Sequence, residues 1–154
     1  MRIQKIRLTH VRVPLVEPFR ISSGAVAEKD GIVVELHADG IRGWGESSPM
    51  AGSFYSDDTP DSCWDQLTSE IVPAIASREF ASLDEACLWL HQFPARNFAK
   101  VGVETALWDI EAQRRGLPLH RLLGATRDSA ESGLAVGLYE IGRASCRERV
   151  YVLV

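Results

Sequence analysis

Apolar and polar positions alternate with period two over the first third of the chain and take helical spacing after it. Residues 2–15 read as a strand with a phase change: Ile6 and Leu8 share one face, while Val11, Val13 and Leu15 share the next phase. A bulge near Thr9 or His10 would reconcile them. Pro14 and Pro18 are expected to end this strand and open a loop, EPFRISSGAVAEKD. Residues 32–38 form a second strand with Ile32, Val34, Leu36 and Ala38 on one face. Asp39-Gly40 is a tight-turn signal, and Ile41 to Glu46 returns as a third strand. Gly43 and Gly45 flank Trp44 and keep that strand thin, which suits the approach of another backbone or a ligand.

A second loop, SSPMAGSFYSDD, separates the strands from the helices. Thr59-Pro60 starts a helix by cap and first-turn logic, with Asp61 at its positive end. Trp64, Leu67, Ile71 and Ile75 form its apolar stripe, and Pro73 should kink or split it. Ser82 and Glu85 spell a capping box for the next helix, which runs to about Phe93 before Pro94. Asn97 is expected to cap a third helix ending at Gly116, and Pro118 opens a short one closed by Gly124. From Ser132 to Tyr139, SGLAVGLY alternates large apolar residues (Leu134, Val136, Leu138) with small ones, a strand whose faces differ sharply in bulk. The class is α+β: a three-stranded antiparallel sheet followed by a helical bundle, then one further strand.

Composition narrows the function classes. The 154 residues suffice for one domain with an ordinary core. Hydrophobic content of 45% and charged content of 25% are those of a soluble globular protein. The net charge of −4 offers no basic footprint for nucleic acid. No apolar run approaches the ~18 residues of a membrane span. The start, MRIQKIRL, lacks the apolar stretch of a signal peptide. Cys63, Cys87 and Cys146 form no C-x-x-C pair, which points to reduced thiols in a cytoplasmic protein.

Candidate chemistry is sparse. His10, His37, His91 and His120 show no metal-ligand spacing with each other or with the cysteines. Glu104, Asp109 and Glu111 form a tempting acidic group. On a helix, however, Asp109 and Glu111 point about 200° apart, so they solvate or pair rather than share an ion. The G-x-S-x-G elbow, the P-loop and the G-x-G-x-x-G fingerprint are all absent from the sequence. Two loops leaving the same small sheet are rich in aromatic, small and polar residues. One carries Phe19, Arg20, Ser22, Ser23 and Gly24, and the other Pro49, Met50, Gly52, Phe54 and Tyr55. Two readings of Phe19, Met50 and Phe54 stay open: a lid or pocket wall, and simple packing of the local core.

Three segments together resemble the enolase superfamily in its muconate-lactonizing branch: PLVEPFRISSG, DGIRGWGESSPMAGSFYS and NFAKVGVETALWDIEAQRRGLPLHRLLG, followed by RDS and SGLAVGL. The resemblance covers residues 1–139, and MAGSFYS followed by RNFAK looks most like the o-succinylbenzoate synthase and N-acylamino acid racemase group. It implies an N-terminal capping domain over residues 1–128 and the first strand of a (β/α) barrel over 129–139. Barrels of this type take ~250 residues. It also implies removal of a proton next to the carboxylate of a small substrate. A lysine or histidine base takes the proton and magnesium stabilises the enediolate; the chemistry is the general one described for this superfamily.

In this branch the base lysines and metal carboxylates lie on later barrel strands, so the resemblance places no catalytic residue and no metal ligand in this chain. Magnesium is expected in the full-length parent and in none of these residues. By position, Phe19, Ser22, Met50 and Tyr55 would wall the substrate side-chain pocket. Ser23 departs from relatives that place an aromatic there, which implies a wider or more polar pocket at that point. The parent is expected to be a cytoplasmic homo-oligomer without nucleic-acid or membrane partners.

Residues 140–154, EIGRASCRERVYVLV, carry no stripe of either period. Their first part resembles a translated DNA-sequencing adapter, so this tail is expected to be non-native; resequencing across the codon for Glu140 checks it. In that reading the chain is a fragment. The Val103, Leu107 and Ile110 face is then expected to await absent barrel elements, leaving the chain marginally stable or aggregating.

Overall fold

The computed structural model describes residues 1–51, 56–76 and 78–133. β1 (Ile3–Ile21), β2 (Gly24–Ala38) and β3 (Ile41–Ser47) form one antiparallel sheet in the order β1-β2-β3. The helical part follows as α1 (Pro60–Gln66), a π-helical turn (Leu67–Ile71), α2 (Val72–Ala76), α3 (Leu83–Gln92), α4 (Asn97–Arg115) and α5 (Leu119–Leu122). This is the α+β order read from the sequence. The strand expected over Ser132–Tyr139 lies outside the described residues beyond Gly133.

β2 is the middle strand, and its period-two pattern carries the core. Ile32, Val34, Leu36 and Ala38 are all fully buried. They meet Leu67, Ile71 and Ile75 from the first helical stretch, Leu83, Ala86 and Leu90 from α3, and Val103, Leu107 and Ile110 from α4. Each large side chain so buried contributes about 1.5–3 kcal/mol. Asp39 and Gly40 both have positive φ (50° and 80°), the type I′ geometry that joins Ala38 directly to Ile41. The turn is tied to the start of the chain: Arg2 N–H donates to Asp39 Oδ1 at 3.0 Å, and Gly40 N–H to Gln4 Oε1 at 3.2 Å.

The glycines of β3 are required by a close helix. A Cβ on Gly43 would sit 2.4 Å from the carbonyl oxygen of Ala106, and one on Gly45 would sit 2.1 Å from that of Gly102. Gly102 returns the accommodation, since its own Cβ would lie 3.0 Å from Ser47. With side chains removed on both sides, α4 lies directly on the strand. The same helix covers β3's outer edge. Trp44 N–H donates to Asp109 Oδ2 at 2.9 Å, and Gln113 Nε2 donates to the Arg42 carbonyl at 2.8 Å. Two edge groups that could recruit another strand are thereby satisfied.

The caps follow the sequence closely. Thr59 Oγ1 accepts from Ser62 N–H at 3.2 Å while Ser62 Oγ accepts from Thr59 N–H at 2.9 Å. Ser82 Oγ accepts from Glu85 N–H, but Glu85 reaches back to Ala81 N–H at 2.6 Å rather than to Ser82. Gly116 ends α4 in the left-handed region at φ 64°. Pro73 acts as expected: the helix widens into the π turn just before it, where Val72 N–H bonds five residues back to Leu67.

Four expectations change. First, β1 has no bulge near Thr9 or His10. Its register shifts fall between Ile3 and Lys5 and between Pro14 and Phe19. Val13 simply faces outward, 51% exposed, while Leu15, 36% exposed, stands at the cavity described below. Second, EPFRISSGAVAEKD is no open loop. β1 and β2 continue as a hairpin to the turn at Ser22-Ser23, with Phe19 opposite Val26 and Ile21 opposite Gly24. Pro14 and Pro18 are tolerated because β1 is an edge strand and the second shift absorbs them. Third, Asn97 is the first residue inside α4, and Arg96 holds the cap position without a side-chain bond. Fourth, Val103, Leu107 and Ile110 await nothing. They are buried in this domain's own core because the glycine seam brings α4 down onto the sheet.

Candidate functional site

The long hairpin and the segment after β3 meet at one end of the sheet and enclose a cavity of about 440 Å³. Leu15 and Phe19 come from β1, Val26 from β2, Pro49 and Met50 from the segment after β3, and Phe98 from the first turn of α4. This wall is apolar. Its polar part is a run on β2, Glu28, Lys29 and Asp30, together with Ser48. Pro49 is fully buried and fixes the exit of the chain from β3, which sets Met50 against the hairpin.

Asp30 shows how the hairpin is anchored. Its carboxylate is 5% exposed, yet it lies on the buried face of a strand two residues before Ile32. His10 Nε2 contacts Oδ1 at 2.5 Å and Arg12 Nε donates to Oδ2 at 3.0 Å, both from the neighbouring strand. The His10 ring in turn stacks on Trp64 of α1 at 5.7 Å. A buried carboxylate needs such partners, and losing one would leave a costly unpaired charge.

The residues expected to wall a pocket divide. Phe19 and Met50 line the same cavity. Ser22 sits exposed in the turn at the hairpin tip, beside Ser23, and neither lines the cavity. Tyr55 lies outside the described residues. Sequence reasoning missed Val26, Lys29, Asp30 and Phe98. Val26, Glu28, Asp30 and Ile32 do keep period-two spacing, which would have extended the second strand backward. The charges at two of those positions masked it.

The acidic residues of α4 are occupied separately. Asp109 accepts from Trp44 N–H and from Gln113 Nε2 at 3.1 Å. Glu104 Oε2 contacts His91 Nε2 at 3.3 Å. Glu111 is buried and accepts from Arg114 at 2.7 and 2.8 Å and from Arg115 at 2.6 Å. The Arg114 guanidinium foremost, helped by Arg115 against the effect of burial, holds the Glu111 carboxyl below the usual range. On the opposite face of the sheet the His37 hydrogen bond does the same for Glu35, opposed by burial and aided by Arg7. The two described cysteines are free; burial pushes the Cys87 thiol up to about 11, which leaves it unreactive at neutral pH.

Residues 3–124 match the N-terminal domain of the mandelate racemase / muconate lactonizing enzyme family. The chain belongs to that family. It is 34% identical over 139 residues to the o-succinylbenzoate synthase of Bacillus subtilis, covering 90% of this chain and 38% of the synthase. A crystal structure of an enolase-superfamily member from Listeria innocua superposes with a TM-score of 0.83 at 31% identity, covering 91% of this chain and 38% of the other. A dipeptide epimerase from Methylococcus capsulatus, complexed with Mg and the dipeptide L-Arg-D-Lys, gives 0.79 at 30% identity over 90% of this chain and 39% of that one. The chain thus spans well under half the length of the relatives it matches.

The family's three-stranded sheet with its helices is therefore the domain described here, and the relatives that carry it are enzymes. The magnesium of the epimerase complex finds no counterpart among the described residues, where no three His, Cys, Asp or Glu side chains stand close enough to share an ion. Among the described residues no helix is long and apolar enough to cross a membrane.

Proposed function

We propose that the domain is the substrate-gating cap of a magnesium-dependent enolase-superfamily enzyme that removes the α-proton of a small carboxylate substrate. The o-succinylbenzoate synthase or N-acylamino acid racemase type is the preferred reading, supported by 34% identity to the Bacillus subtilis synthase. The alternatives are a dipeptide epimerase or muconate cycloisomerase parent, to which the chain is similar at 30% and 32% identity, or a small-molecule binding module without chemistry. The observation that carries the cap reading is the shared cavity: Phe19 from the hairpin and Met50 from the segment after β3 face one apolar space. Such a space selects the part of a substrate that does not react, by burying it away from water. Ser22, outside the cavity at the hairpin tip, and Tyr55 are kept as substrate contacts in this reading by the family resemblance alone. The base and the metal ligands belong to another part of the enzyme, which acts in the cytoplasm as a homo-oligomer. This 154-residue chain is inactive by itself.

A chimaera tests the proposal. Residues 1–133 of this chain replace the matched region of the Bacillus subtilis synthase, and turnover is assayed with a succinylbenzoate precursor, N-acylamino acids and dipeptides. Retained magnesium-dependent turnover is expected. Phe19→Ala or Met50→Ala should raise KM about tenfold, as loss of one apolar side chain from the wall of a binding site implies. A folded, active chimaera whose KM ignores both substitutions would overturn the cap reading. Measurable proton exchange by the chain alone would overturn the assignment of inactivity.

A further inference from the structure

The hydrophobic core stops short of the cavity. It takes Ile3, Ile6 and Leu8 from β1 and Ile32, Val34, Leu36 and Ala38 from β2, and among the described residues it takes none between Thr9 and Gly31. The hairpin that carries Leu15, Phe19 and Val26 to the cavity therefore runs past the end of the core, and core packing does not set its angle. The β1–β2 register is also broken between Pro14 and Phe19, where the ladder can bend. The next inner-face residue of β2 before Ile32 is Asp30, opposite Arg12 across the ladder. Its Oδ1 contacts His10 Nε2 and its Oδ2 accepts from Arg12 Nε. His10 carries the link on to α1 by stacking on Trp64. The adjoining Lys29 donates from Nζ to Ser48 Oγ, which joins β2 to the segment after β3. Residues 29 and 30 thus tie the base of the hairpin to the helical layer and to the opposite wall. Asp30 lines the cavity, whereas His10 and Arg12 do not.

We infer that Asp30 is a positioning residue for the cavity: through His10 and Arg12 it fixes the stance of the hairpin, and so of Phe19 and Val26, against Met50 and Phe98. The inference rests on the cap reading and deepens it, since it assigns the shape of the site to two side chains that do not line it. A wall held in place before the ligand arrives loses less freedom on binding, which raises affinity without a new contact.

The test uses the full chain, isotope-labelled and titrated by amide NMR with benzyl alcohol, a neutral aryl probe. The amides of Phe19, Val26, Met50 and Phe98 should shift. Arg12→Gln alters a side chain that is 59% exposed and outside the cavity lining. It is expected to weaken the probe about threefold, the scale of one partly screened ion pair. It should also displace the amides from Ser22 to Val26, while those of Trp44 and Gly102 in the glycine seam keep their positions, which shows that the variant is folded. Arg12→Lys should restore most of the affinity. In the Asp30→Asn background Arg12→Gln should have little further effect, because its partner is already gone. Native affinity in Arg12→Gln, whatever its stability in urea, overturns the positioning role and leaves the cap reading standing. So does an Arg12→Gln effect that is undiminished in the Asp30→Asn background. If the probe moves none of the cavity amides of the native chain, the cap reading falls and the positioning role with it.

Discussion

Where α4 crosses β3 the molecule leaves no room for a methyl group; where the hairpin meets the segment after β3 it leaves about 440 Å³. Both regions are built from the same sheet. In the seam, glycines at 43, 45 and 102 let two backbones touch, and Asp109 and Gln113 bind the strand edge. At the cavity, large side chains (Phe19, Met50, Phe98) stand around a space they do not fill. The seam ties the helices to the sheet and tolerates little change in volume. The cavity wall is made of side chains that can be exchanged without disturbing the seam. One small domain can thus keep its fold while its contact with a ligand varies.

The contrast can be broken most severely at Gly45. Gly45→Ala places a Cβ 2.1 Å from a backbone oxygen, which cannot swing aside as a side chain can. We expect a loss of about 3 kcal/mol in urea unfolding, the upper part of the range for overpacking. Glu111 on the same helix should come next. Its two arginine partners are more than half exposed, so screening leaves Glu111→Gln a loss of only about 1 kcal/mol at pH 7. The sign with pH follows from the lowered carboxyl. Its stabilisation is whole above the ordinary value of 4.5 and fades as pH falls through the lower folded-state value. Native and variant unfolding curves should therefore converge in acid, and curves that stay parallel would show that the pair contributes nothing.

Thr59→Ala removes the acceptor of the first capping bond and should cost about 1 kcal/mol by the same measurement. On the cavity side, Phe19→Ala is expected to change stability by less than about 1 kcal/mol because the ring is only half-buried. It should nevertheless raise the KM of the chimaera about tenfold. Val13→Thr, on the outward face of β1, should lie within about 0.5 kcal/mol of the native chain. If Phe19→Ala unfolded the chain as Gly45→Ala should, the division into seam and cavity would be wrong.

Short-range chemistry was readable residue by residue. Alternation placed Ile32 to Ala38 inside, Asp39-Gly40 could serve only a tight turn, and Thr59, Ser82 and Gly116 marked helix ends. Each of these signals acts within four residues, so neighbours in sequence are enough to read it. The hairpin was not readable in the same way. Two prolines argued for a loop, and Glu28 and Asp30 broke the apolar alternation. Only the pairing of Asp30 with His10 and Arg12 across the strands makes a buried acid there acceptable.

The sequence by itself determined the order of strands and helices, the inner face of β2, the thinness of β3 and the family resemblance. These depend on local steric and periodic rules. Tertiary structure alone decided that α4 closes onto the sheet and that β1 and β2 extend as a hairpin to Ser22. It also decided that Phe19, Lys29, Met50 and Phe98 share one cavity. Those outcomes turn on contacts between residues far apart in the chain, where a missing Cβ or a paired charge matters only once its partner is in place.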